Sequence, residues 1–308
     1  MQTYILKRLG HLVFTIFIVS LIVFFLVRLK GDPISVLVPP TFTQEQIDAV
    51  RVAWGLDRPL IEQYFVFARK ALTGDFGRSI TSGTPAMELV LERLGATLYL
   101  AGLSALIGLL IAIPAGVIAA VRRNTPWDFL TTAFATLGTA MPNFWLGLIL
   151  ILIFSVNLRV LPAYGAEHPL AILMPAFTLG TGLAAQIARL TRSSMLEVLG
   201  QDYVRTARSK GLGERIVVWR HAFRNSLIPV ITAFGLQLGW LLGGSVVVEA
   251  VFAWPGLGRL IIEAINVRDI TVVQAGVLWF AITFVLINLI VDLTYAVIDP
   301  RIDLRRSA

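Results

Sequence analysis

The sequence predicts an all-α integral membrane protein with six transmembrane helices, and three observations carry that reading. Hydrophobic residues make up 56% of the 308 and charged residues only 15%, against roughly 45–50% and 25% in soluble domains. Six long runs, 9–27, 94–121, 129–158, 168–188, 225–248 and 270–291, contain no Asp, Glu, Lys or Arg. Crossing the roughly 30 Å hydrocarbon core takes about 20 apolar helical residues, because lipid offers the backbone no hydrogen-bond partner. Basic residues also alternate between sides. With the N-terminus inside, the inner segments 1–8, 122–128, 189–224 and 292–308 hold two, two, eight and three Lys+Arg, whereas the short outer loops 159–167 and 249–269 hold one and two. That asymmetry orients multi-pass proteins.

In chain order, a cytoplasmic N-terminus (1–8) leads into the first span (9–28). Lys7 and Arg8 resemble the start of a signal peptide, but Arg28-Leu-Lys-Gly-Asp-Pro33 follows where a small-x-small cleavage site would stand, so the run reads as a retained anchor. The outer segment 29–93 turns ordinary in composition. Over 28–93, eight basic residues balance eight acidic ones, and long segments translocate with little regard to charge. Thr43-x-x-Gln46 reads as a capping box opening a helix toward Trp54, with Gly55 placed to end it. Pro59 suits the first turn of a second helix, on which Leu60, Ile61, Tyr64, Phe65, Ala68 and Leu72 form one apolar stripe. Thr84-Pro85 then leads through Glu88 and Arg93 into the second span. This external helical segment serves either as a packing scaffold or as a contact surface for a delivered substrate or its carrier.

The remaining core (94–298) holds spans at about 94–121, 129–157, 169–189, 226–248 and 271–293, an inner loop at 190–225 and a cytoplasmic C-terminus at 299–308. No ionisable side chain sits inside spans two to six away from their ends, which argues against proton- or ion-coupled carriers and charge-selective channels. Asn143, Gln186, Gln237 and Asn288 could line a route or bond a neighbouring helix. Pro114, Pro142 and Pro175 bend or loosen their helices, and Gly239-x-x-x-Gly243 reads as close helix packing.

Several chemistries drop out. With no cysteine and three scattered histidines (His11, His168, His221), the chain has no thiol nucleophile or metal cage, and no cofactor is expected. It contains no Gly-x-x-x-x-Gly-Lys-Ser/Thr phosphate loop, so any ATP would be hydrolysed by another subunit and the chain itself is not expected to be an enzyme. The loop 189–224 carries eight basic and three acidic residues, a net +5 of the total +7. The positive charge thus belongs to membrane topology rather than to nucleic-acid binding.

That loop is the most informative stretch. A helix through Ala207 would place Arg208 and Lys210 near its terminal carbonyls and Gly211 just past its end. A second helix starts near Glu214, with Ile216, Val217, Trp219, Arg220 and Phe223 placed on an apolar side beneath a basic one. Two short helices meeting at Gly211-Leu212-Gly213 form a knob that another surface could grip, since Ala207, Gly211 and Gly213 are small and the arginines donate directional hydrogen bonds. On spacing alone, a basic hairpin lying on anionic lipid fits equally well.

Asp202-Tyr-Val-Arg-Thr-Ala-Arg-Ser-Lys-Gly211 and His221-Ala-Phe-Arg-Asn-Ser-Leu-Ile-Pro229 resemble the coupling signature of ABC importer permeases, in the form of the dipeptide/oligopeptide/nickel branch. Further matches are Tyr4-Ile-Leu-Lys-Arg-Leu9, Gly31-Asp-Pro33, Gly55-Leu-Asp-Arg-Pro-Leu60 with Gln63-Tyr64, and Gly74-Asp-Phe-Gly-Arg-Ser79. Met141-Pro-Asn-Phe-Trp-Leu-Gly147, Leu161-Pro162, Glu249-Ala-Val-Phe-Ala-Trp-Pro-Gly-Leu-Gly258 and Asp299-Pro-Arg301 complete the set. The opening helix and outer segment are similar to the first-type (B) subunit. Two departures stand out: Arg205 replaces the Glu of the general motif, and the interval from Gly211 to Pro229 is longer than in sugar importers.

The resemblance implies the type I ABC importer permease fold, working by alternating access in a bacterial or archaeal inner membrane. The implied partners are a homologous second (C-type) permease, two ATP-binding subunits, an external substrate-binding protein and the lipid bilayer. It places coupling to the ATPase on Asp202, Tyr203, Arg205, Ala207, Gly211 and Leu212; of the sparse polar residues in the spans, Gln237 and Asn288 are the candidates for the route. Peptides are the expected substrate, with nickel or another small solute as the alternative. A polytopic scaffold or receptor with a lipid-binding basic loop is the reading from a different class.

Overall fold

The computed structural model describes residues 2–29, 42–53 and 55–298, excepting the side chains of 2–5, 26–29, 50, 53 and 295–298. The Gly31-Asp-Pro33 and Asp299-Pro-Arg301 matches, Trp54 and the C-terminal segment 299–308 lie outside these residues. Among the described residues there is no β-strand, only an isolated bridge between Arg78 and Pro85. Five helical stretches are long and apolar enough to cross a membrane, Leu6–Phe25, Ala86–Val121, Pro169–Leu199, Glu214–Val251 and Ile270–Thr294, and a bent pair makes a candidate sixth.

The chain divides into two compact units. The first comprises Met1–Ala96 with Pro255–Leu286. In it, α1 (Gln2–Leu29) packs on α3 (Leu60–Leu72), where the Ser20 and Tyr64 hydroxyls lie 2.8 Å apart and Phe24 meets Tyr64 edge-on. The capping box opens α2 (Gln44–Ala53) as expected: the Thr43 N–H donates to Gln46 Oε1 at 2.9 Å, and the Gln46 N–H donates to Thr43 Oγ1 at 3.4 Å. Gly55 takes φ +66° beyond it.

The apolar stripe expected on α3 does not form one buried face. Tyr64 is buried, and Phe67 and Ala71 join it on the inner side, while Leu60, Ile61, Phe65 and Leu72 are exposed. Those side chains share the apolar spacing, but among the described residues no neighbouring element covers them.

The rest of this unit centres on Asp269, which is buried ahead of α12 (Ile270–Ile298). Its carboxylate accepts from Ser79 Oγ at 2.5 Å and from the Ile80 N–H at 3.0 Å. It also accepts from Thr271 Oγ1 at 2.8 Å and the Val272 N–H at 3.3 Å. One side chain thereby caps a helix and ties down the Gly74–Ser79 loop. Leu257 and Ile261 of α11 (Leu257–Asn266) close the core against Val90, Val272 and Ala275.

The second unit comprises Thr97–Trp254 with Ile287–Ala308. Helices α4 (Ala86–Val121) and α7 (Leu173–Leu199) approach closely at Ser104, Gly108 and Gly116. A Cβ added at Gly180 would lie 2.6 Å from the Ser104 carbonyl oxygen, and one at Gly116 would lie 2.7 Å from that of Ala188. Small residues at every fourth position allow this approach.

The third apolar run is not one straight helix. α5 (Pro126–Ala140) and α6 (Asn143–Leu150), which continues as a π-helical stretch Ile151–Asn157, meet at 109°. Proline disfavours helical conformation in the residue before it, and Met141 is accordingly extended at φ −78°, ψ 126°. Pro114 instead sits within a continuous α4, and Pro175 falls in the first turn of α7, where its missing N–H removes no helical bond.

Candidate functional site

The chain after α7 folds into the expected knob. α8 (Asp202–Ser209) ends at Lys210, and Gly211 follows at φ +77°, a conformation that suits glycine. The Gly211 N–H donates to the Arg208 carbonyl at 2.9 Å and the Leu212 N–H to that of Ala207 at 3.4 Å. α9 (Glu214–Ile216) then runs through a π-helical stretch, Val217–Phe223, into α10 (Arg224–Val251).

An ion pair staples the two sides of the turn: Arg208 Nη2 lies 2.6 Å from Glu214 Oε1, and Nε 3.1 Å from Oε2. The hydrogen-bonded carboxylate pushes the Arg208 guanidinium above its usual pKa. Opposite charges six residues apart, either side of a glycine turn, were the signal for this pair in the sequence.

The structure sorts the six coupling candidates into two sets. Asp202, Tyr203, Arg205, Gly211 and Leu212 lie at the surface. The Asp202 and Arg205 side chains are 93% and 72% exposed, joined only by a long 3.4 Å contact. Nothing lies within 4 Å of a Cβ placed on Gly211 or Gly213, so both offer open approach. The Tyr203 hydroxyl accepts from Asn225 Nδ2 at 3.0 Å, a tie between α8 and α10 that the motif does not announce. Ala207 turns inward and is buried with Val204 and Val217; its small size brings α8 close to the following helix.

Behind the knob, Val218 and Ala222 are buried against Val117 and Ala120 of α4 and Met195 of α7. The expected apolar side of this helix divides: Val217 is buried and Phe223 packs on the Val218–Ala222 cluster, while Ile216 and Trp219 are exposed. The i→i+5 bonding of a π-helical turn places residues differently around the axis from the 3.6-residue period. Beside it, Asp128 of α5 binds Arg192 of α7 through two contacts of 2.5 and 2.9 Å and accepts the Asn124 N–H at 3.0 Å. The knob therefore rests on packed helices rather than on a loose tether.

Between α5, α6, α7 and α10 lies a cavity of about 820 Å³. Gln186, Gln237, Asn143, Thr139, Met141 and Trp240 line it with the glycines 138, 182, 243 and 244. Of the two route candidates, Gln237 lines the cavity and its amide donates to the Gln186 carbonyl oxygen, whereas Asn288 is half-buried on α12 and outside the lining. Gly243 opens onto this space, and it is Gly244 that makes the close contact, with Leu179 Cδ1 3.0 Å from an added Cβ. The lining carries no ionisable side chain, so the surface it offers is neutral and hydrogen-bonding.

Residues 112–304 match the family described as the binding-protein-dependent transport system inner membrane component, and residues 1–101 match its N-terminal companion. The chain is 46% identical over 303 residues to the glutathione transport system permease protein GsiC of Escherichia coli (strain K12), covering 98% of this chain and 99% of that protein. The GsiC protein of Shigella dysenteriae serotype 1 matches to the same extent. Among solved structures, an inward-facing MetNI methionine ABC transporter aligns with a TM-score of 0.59 at 21% identity, over 69% of this chain and 97% of that one. An amino acid ABC transporter with histidines aligns at 0.52 and 16%, over 70% and 94%. These two likenesses concern the fold.

Proposed function

The chain belongs to the family of binding-protein-dependent transport system inner membrane components, and from that premise we propose that it passes peptides through the cavity between α5, α6, α7 and α10. Membership makes it a multi-pass permease subunit of an ABC importer rather than an enzyme, working with a second permease, ATPase subunits and a substrate-binding protein. The observation that carries the peptide reading is the near full-length similarity to permeases named for glutathione, which is a tripeptide. The cavity agrees with it. Its volume of about 820 Å³ falls in the range of roughly 300–1,000 Å³ typical of small-molecule sites, and the Gln186 and Gln237 amides can exchange hydrogen bonds with peptide groups.

In this reading the knob faces the cytosol, and Asp202, Tyr203, Arg205, Gly211 and Leu212 dock on an ATP-binding subunit while Ala207 sets the spacing behind them. ATP-driven closure pushes the knob, Val218 and Ala222 pass the displacement to α4 and α7, and the cavity changes the side on which it opens. Glutamine amides favour neutral backbone over any particular side chain, leaving selection to the external binding protein. The test is uptake into proteoliposomes that hold the assembled complex, with glutathione, a dipeptide, a longer peptide and nickel offered through the cognate binding protein. ATP-dependent accumulation of peptide supports the reading; accumulation of nickel alone overturns it.

A further inference from the structure

Near the knob, a groove of about 340 Å³ separates the end of α4 from α9 and its π-helical continuation. Its apolar wall is Val117, Ile118, Val121 and Val218, and its rim carries Arg122, Trp127, Arg215 and Trp219. Trp127, Trp219, Ile118 and Val121 are exposed, and the Arg122 guanidinium sits 5.7 Å from the centre of the Trp127 ring. Glu214 also borders the groove, but Arg208 holds both of its oxygens. Among the described residues no carboxylate pairs with Arg122 or Arg215. The rim therefore presents two uncompensated cations beside two indoles, directly above aliphatic side chains.

We infer that this groove binds one anionic phospholipid of the inner leaflet, its phosphate on Arg122 and Arg215 and an acyl chain along Val121, Ile118 and Val117. The inference rests on the proposed orientation with the knob in the cytosol, which puts the groove at headgroup level. Each part has a physical role there. Guanidinium groups match phosphate oxygens in geometry and charge. Tryptophan, with an apolar body and one N–H donor, suits the membrane–water boundary. Basic recesses between membrane helices on the cytoplasmic side recognise anionic headgroups. A free phosphate would use the arginines and leave the aliphatic wall wet, so the apolar floor selects the lipid as occupant. Since Arg215 directly follows Glu214 of the Arg208–Glu214 staple, a bound lipid braces the base of the coupling knob.

The test uses the assembled transporter in nanodiscs of phosphatidylcholine doped with phosphatidylglycerol, with retained lipid counted by native mass spectrometry. The parent complex should hold phosphatidylglycerol in preference to phosphatidylcholine. Arg122→Gln and Arg215→Gln should each weaken that preference about five-fold, as expected for one basic residue at a membrane surface. Arg159→Gln, remote in sequence and on the opposite loop, should leave it unchanged. Equal preference in parent and variants, an equal loss with Arg159→Gln, or displacement of the lipid by inorganic phosphate overturns the site. Should Arg122→Gln fail to assemble, Arg215→Gln alone decides, because that side chain is exposed. ATP-dependent uptake is measured on the same complexes reconstituted into sealed proteoliposomes of the same lipid composition. A complex that transports but shows no lipid preference sinks the lipid site and leaves the transport reading intact; one that retains the lipid yet never transports does the reverse.

Discussion

The Thr97 hydroxyl donates a 2.7 Å hydrogen bond to Oε1 of Glu249, and both residues are closed to solvent at 1% and 0% exposure. They lie 152 positions apart and join α4 to the last turn of α10. Removing a buried acceptor strands its donor at a cost of about 1–3 kcal/mol. Glu249→Ala should lower the melting temperature of the purified complex, while Glu249→Gln, which keeps a carbonyl acceptor, should lose less. Equal melting of parent and Glu249→Ala would remove the structural role from this pair.

Asp128 and Arg192 lock α5 to α7 with two contacts. Arg192 remains 28% exposed, so loss of the carboxylate should cost about 1–3 kcal/mol rather than the about 3–5 kcal/mol of a fully buried pair. Asp128→Ala should show that drop in thermal unfolding, and the swap Asp128→Arg with Arg192→Asp should recover part of it.

Gly213 offers a cleaner probe of docking than Gly211. Its φ of −59° is open to any residue, and a Cβ there meets nothing within 4 Å. Gly213→Trp should fold and reach the membrane yet fail in ATP-driven uptake and copurify poorly with the ATPase; full transport by this variant would exclude the knob as the docking element. Gly211→Ala adds backbone strain of about 1–2 kcal/mol at φ +77°.

Because the chain has no cysteine, a single Ser209→Cys has no background. Ser209 is exposed at the end of α8. A bifunctional thiol reagent should link it to an ATP-binding subunit carrying a facing cysteine, and an impermeant reagent should reach it from the cytosolic side only. Labelling from the opposite side would invert the proposed topology.

The cavity predicts a contrast between two polar positions. Gln237→Leu removes half of an amide pair inside the lining and should cut peptide uptake about ten-fold, the equivalent of one hydrogen bond of about 1.4 kcal/mol lost in the transported state. Asn288→Leu lies off the lining and should change uptake far less in the same assay.

The sequence by itself determined what depends on neighbours along the chain: the apolar runs, the Thr43–Gln46 box and the helix stop at Gly211 each follow from local backbone chemistry. Its motifs also sufficed to place the chain in its family. Tertiary structure alone decided that Ala207 faces inward, that Tyr64 rather than Phe65 is buried, that Gly180 meets Ser104, and that Gln186 and Gln237 share one cavity. The reason is physical. A helix surrounded by lipid can be apolar on every side, so its hydrophobicity no longer marks which face packs inward, and rotation and pairing are set by contacts between residues far apart in the chain. The 109° angle between α5 and α6 is of the same kind: proline marks where a helix can bend, as at Pro142, yet Pro114 lies in an unbroken helix, so the break and its direction belong to the surrounding packing.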